Sequence, residues 1–141
     1  MTRIAEFSIP GPSVGLLTGT VERTGRVVIA PESQRWMAEI GKSTRFTIGR
    51  DIPLDCPLTL VVVCNARPSD ELVEKWAATG MPSGDHPPAG EQPDLVGVIG
   101  GIAAALEQSG IIRHGGQFYR IEASKQFVLG DDSTDIAISR P

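Results

Sequence analysis

The chain has 141 residues, 40% of them apolar and 21% charged, ordinary proportions for a soluble globular domain with one core. No apolar run approaches the roughly 18 residues of a membrane span, so no membrane-spanning helix is expected. The net charge of −4 is uneven: residues 1–50 carry seven Lys or Arg against four Glu, +3, and residues 51–141 carry six against thirteen acids, −7, so nucleic acid could be held only through a local basic patch.

The first residues, MTRIAEFSIPGPSVG, lack the basic and apolar regions of a secretory leader, and a cytoplasmic location is expected. Ile4, Phe7 and Ile9 alternate with polar residues up to a Pro-Gly-Pro stop, the pattern of a first strand. GRVVIAP reads as a second strand ending at Pro31. Pro31 then opens a helix over ESQRWMAEIG, closed by Gly41, and STRFTIGR is expected to add an edge strand. CPLTLVVVCNARP is continuous and β-branched, which predicts a strand buried on both faces. Its two cysteines, Cys56 and Cys64, have no CxxC spacing and no nearby His pair, and are expected to be free thiols.

PSDELVEKWAATG has Ser69 to cap a helix, Asp70 and Glu71 in its first turn and Gly80 at its end. A Pro- and Gly-rich loop over residues 80–93 follows, of the length that usually serves function. From Asp94 the residues Leu95, Val98, Ile99, Ile102 and Leu106 form one apolar helical stripe that stops at Gly110. The other side carries Gly97, Gly100, Gly101, Ala104 and Ala105. A helical Gly costs about 0.5–1 kcal/mol relative to Ala, so these glycines predict close approach by another backbone. GVIGGI has neither the G-x-G-x-x-G spacing nor the preceding strand of a dinucleotide loop. QFYRIEASKQFVL and TDIAISR read as two closing strands. The order β-β-α-β-α-α-β-β predicts an α+β fold: a single domain over 1–141 with a mixed or antiparallel sheet and helices packed on it.

SIPGPS, TGRVVIAP, CPLTLVVVCNARP and QPDLVGVIGGIAAALEQSGIIRHGGQFYRIEASK occur in the order and spacing of one family: the chain resembles the RusA-type Holliday-junction resolvases, small dimeric magnesium-dependent endonucleases. Pro93, Asp94, Leu95, Leu106, Gly110, Gln117 and Lys125 stand at family positions. The family's other charged positions are vacated: its second metal-site aspartate falls on Val96, its Asn on Gly97, its helix Lys on Gly100, its helix Asp on Ala104, and its Asp-Asp pair on His114 and Gly115. The resemblance therefore implies a RusA-like scaffold in which Asp94 alone remains as a catalytic or metal ligand. One carboxylate is a poor magnesium site, because the ion sheds water reluctantly and prefers several oxygen ligands.

The resemblance implies a homologue without cleavage that binds branched DNA as a homodimer, with Arg23, Arg26, Arg113, Arg120 and Lys125 on phosphates. Two other readings stay open. The fold is reused to bind another protein, or a junction endonuclease persists with Mg²⁺ held by displaced acids drawn from Asp85, Glu91, Glu122, Asp131 and Asp132; without cleavage no cofactor is expected. A structural reading also stands for each singled-out residue: Asp94 as a helix cap, and His86 and His114 as surface residues of turns.

Overall fold

The computed structural model describes residues 2–15, 18–21, 27–80 and 93–141. Among these residues the strands and α-helices follow one another as β1 (Thr2–Pro10), β2 (Thr18–Val21), β3 (Val27–Ile29), α1 (Pro31–Ile48), β4 (Leu58–Ala66), α2 (Asp70–Thr79), α3 (Leu95–Gln108), β5 (Phe118–Phe127) and β6 (Ser133–Arg140). The fold is α+β. Four strands form a mixed sheet in the order β1-β6-β4-β5, with β4 and β5 parallel and the other neighbours antiparallel; β2 and β3 make a separate antiparallel pair.

α1 begins at Pro31, where the missing N–H is no loss, and Gln34 Nε2 ties its first turn to the Ile29 carbonyl at 2.8 Å. Its buried face is Ser33, Trp36, Met37, Ile40, Gly41 and Thr44, the 3.6-residue period of one helix side. The helix does not end at Gly41 as the sequence reading expected, and STRFTIGR is no edge strand: the helix runs through it to Ile48 and closes at Gly49, whose φ is +76°. Gly41 has another purpose. A Cβ there would lie 2.0 Å from Ser109 Oγ, so the residue permits α1 to meet the end of α3. Arg45 reinforces that contact by donating to the Ser109 carbonyl.

β4 supplies the middle of the core. Leu58, Leu60, Val62 and Cys64 are buried beneath α1 and α3, facing Ile136 and Ile138 of β6. The expectation that both faces of β4 are buried is met in part: on the second face Thr59 and Asn65 are buried, while Val61 and Val63 are half-buried and no described helix covers them. Asn65 bridges three strands there. Its Nδ2 donates to Ser133 Oγ at 3.1 Å and Asp135 Oδ2 at 2.8 Å, and its Oδ1 accepts from Gln126 Nε2 at 2.7 Å.

α2 buries no residue; Ser69 caps it by accepting Leu72 N–H at 3.3 Å, and Trp76 packs edge-on against Phe127 with ring centroids 5.3 Å apart. α3 is the core helix, burying Val98, Gly101, Ile102, Ala105 and Leu106 against α1 and the sheet. No described helix is long and apolar enough to cross a membrane.

Candidate functional site at the start of the third helix

The parallel crossover from β4 to β5 brings the ends of both strands beside the start of α3, because Cys64 and Lys125 are partners in register. Lys125 extends on the helix side of the sheet and its Nζ donates to the Pro93 carbonyl at 3.3 Å. Asp94 follows at once as the N-cap, with Oδ1 accepting Val96 N–H at 3.2 Å. The carboxylate is exposed and serves the helix, satisfying one of the N–H groups that a helix start leaves without a backbone partner.

Ser13 approaches from the chain after β1, its hydroxyl 2.5 Å from that of Thr134. Two residues on, Gly15 takes φ +77°, and a Cβ there would lie 2.8 Å from the Gly97 carbonyl. The close backbone approach expected of the helical glycines thus occurs at Gly97, and its partner is the same chain. Gly100 is different: a Cβ there meets nothing within 4 Å among the described residues. Val96 is 78% exposed.

A cleft of about 210 Å³ lies beside this helix start, lined by Pro12, Ser13, Asn65, Arg67, Pro93 and Asp132 among others. Among the described lining residues the one cation is Arg67 and the one carboxylate is Asp132, whose Oδ1 already accepts Arg67 N–H at 2.6 Å. Below it, burial pushes the Cys64 thiol above its ordinary value of 9.0, opposed by a hydrogen bond with Ser13 and by the Lys125 ammonium. Cys64 is therefore a neutral buried thiol, and both cysteines are free.

The remaining residues singled out in the sequence are not gathered here. Arg113 pairs with Asp55 at 2.5 Å before β4 begins, at the opposite end of that strand from Lys125. Arg120 pairs with Glu122 at 2.5 Å on the sheet face opposite to that of Lys125. Glu122 therefore points away from Asp94. His114 and Gly115 form a turn: His114 Nδ1 accepts Gly116 N–H at 2.8 Å, and Glu107 Oε1 accepts Gly115 N–H at 2.5 Å. Gln117, not singled out as functional, holds that turn. Its Oε1 accepts from Arg113 N and His114 N, while its Nε2 donates to the carbonyls of Leu54 and Cys56. Its position three residues after His114 is the spacing of a capping box, a signal present in the sequence.

Arg23, Arg26, Asp85, His86 and Glu91 lie outside the described residues. Among the described residues no three His, Cys, Asp or Glu side chains could hold one metal ion. The described donors do not fit a magnesium site, which takes near-octahedral oxygen ligation. The chain matches no family model, and no curated protein matches it in sequence.

Proposed function

We propose that this protein is a RusA-like scaffold that holds branched DNA without cutting it, with the start of α3 as a phosphate-facing point. One observation carries the reading: the Asp94 carboxylate at the α3 N-cap is engaged on Val96 N–H, while the Lys125 ammonium sits on the adjoining Pro93 carbonyl. In a magnesium nuclease several carboxylates would leave this end strongly negative, and phosphate would approach only with a cation between. Here the Lys125 ammonium stands beside the Asp94 carboxylate, and the helix dipole adds roughly half a positive charge. A phosphate can then approach directly.

Arg23, Arg26 and Arg113 are the further residues assigned to phosphates. The Arg113–Asp55 pair is exposed on both sides, 68% and 64%, and a pair of that kind contributes only about 0–1 kcal/mol, so phosphate competes readily for the guanidinium. Arg120 is left out because it lies on the opposite sheet face. Gel shift of a four-way junction against linear duplex tests the proposal. Expected is preferential, salt-sensitive junction binding with no cleavage in Mg²⁺ or Mn²⁺, and a Lys125→Gln variant whose salt slope is smaller by about 1. Equal affinity for junction and duplex at low salt, or cleavage that Asp94→Asn abolishes, contradicts it.

The second reading, a scaffold reused to bind another protein, is favoured by the acidic residues 51–141, whose charge is −7. Pull-down of a partner that persists at high salt without DNA would favour it over the first.

A further inference from the structure

Residues 42–50, KSTRFTIGR, hold three positive side chains and no acid. They make up the last part of α1 and the turn after it, and Lys42, Arg45, Phe46 and Arg50 are all exposed there. The Phe46 ring is 92% exposed. One exposed apolar side chain is ordinary in itself, so the surroundings decide what it signifies. The positions three and four residues to either side of the ring are Ser43, Lys42, Gly49 and Arg50, none of them apolar except the side-chainless glycine. Lys42 lies one turn before the ring on the same side of the helix, and Arg50 stands just past the helix end. Neither makes an ion pair among the described residues. Arg45, beside the ring, donates to the Ser109 carbonyl and so fixes this end of α1 against the end of α3. The negative end of the α1 dipole also lies here, but its roughly half a charge is small against three cations. Glu39 and Asp51 border the patch on its two sides, Glu39 two turns from the ring.

We infer that this patch takes a single strand of nucleic acid, with one base stacked on the Phe46 ring and the flanking phosphates on Lys42 and Arg50. Stacking needs a base whose face is free, which a single strand offers and the interior of a duplex does not. An anionic membrane would match the charge, yet an interfacial helix anchors by burying a whole apolar face, and Phe46 is the one exposed large apolar side chain of α1. At physiological salt, exposed charges farther away than about 8 Å are largely screened, so the patch and not the net charge of −4 governs the contact. The site is separate from the start of α3. Arg45 meets Ser109 at the far end of that helix, and fourteen helical residues, about 21 Å, lie between there and Asp94. The inference does not depend on the junction reading: junction binding through Lys125 and strand binding through Phe46 can each fail alone.

The test uses the full chain and a short fluorescein-labelled oligothymidine, which cannot pair with itself, and fluorescence anisotropy reads binding across a salt series. Wild type is expected to bind the single strand more tightly than a duplex of the same length. Phe46→Ala is expected to weaken binding about tenfold with the salt slope unchanged, because stacking is lost and no cation is, and Phe46→Trp to bind at least as tightly as wild type. Lys42→Gln and Arg50→Gln are each expected to make the slope smaller by about 0.7, the value for one phosphate contact on a single strand. Far-UV circular dichroism confirms that each variant is folded, and all of these side chains are exposed. Attraction by charge alone would leave Phe46→Ala binding as wild type does, and that result would overturn the inference. So would a wild type that ignores the oligothymidine at low salt or takes the duplex equally well. Capture of phosphatidylserine vesicles by the wild type, lost in Phe46→Ala while oligothymidine binding is kept, would assign the patch to lipid instead.

Discussion

A carboxylate just before a helix can serve the helix or a metal ion, and at Asp94 the geometry favours the helix, since Oδ1 accepts Val96 N–H at 3.2 Å. If capping is its work, Asp94→Ala lowers stability by about 0.5–2 kcal/mol while Asp94→Asn, also a good cap, changes it by only a few tenths. Denaturant melts of the two variants check this; equal losses from both would point to the charge instead. Cys64 gives a pH prediction. Its thiol is raised by burial, so the folded chain keeps a proton that the unfolded chain releases as pH rises past the ordinary value of 9.0. Stability from this group is complete below that value and is lost above it. Melting temperature of wild type against Cys64→Ala, followed from pH 7 to 10.5, should show the wild-type curve falling more steeply above pH 9; parallel curves would refute it.

At the scale of elements, the glycines sort by what surrounds them. Gly100 is helical with open space at its Cβ, so Gly100→Ala is expected to stabilise by about 0.5–1 kcal/mol, while Gly41→Ala must displace Ser109 and destabilise. Thermal denaturation of the pair decides, and a loss at Gly100 would mean that an undescribed neighbour fills that space. These cases show what was legible in the sequence. β1, α2 and α3 were readable because alternation, Ser69, Gly80 and the stripe from Leu95 to Leu106 are local signals. The length of α1 was not, because Gly41 reads as a stop and the contact that requires it lies 68 positions away at Ser109. A continuous run such as LTLVVV cannot tell one buried face from two, and Val61 and Val63 fell on the less covered side. At the site, Asp94 as a cap was legible from its place before the helix, whereas the hydrogen bond from Lys125 to Pro93 spans 32 positions and follows only from the parallel pairing of β4 with β5.

Across the whole molecule α1 and α3 cover one face of the sheet and no described helix covers the other, with its chemistry divided accordingly. The covered side ends in Lys125 and the α3 start; the other side carries the Arg120–Glu122 ion pair. An uncut four-way junction held at the α3 start is the central claim, and binding measured in EDTA with wild type and Asp94→Asn tests it most directly. With no metal ion present, the wild type is expected to bind the junction, and the variant, which keeps a cap and loses one negative charge beside the phosphate, to bind at least as tightly. Junction binding that appears only when Mg²⁺ is added, and that Asp94→Asn abolishes, would contradict the account and return the carboxylate to the role of a metal ligand.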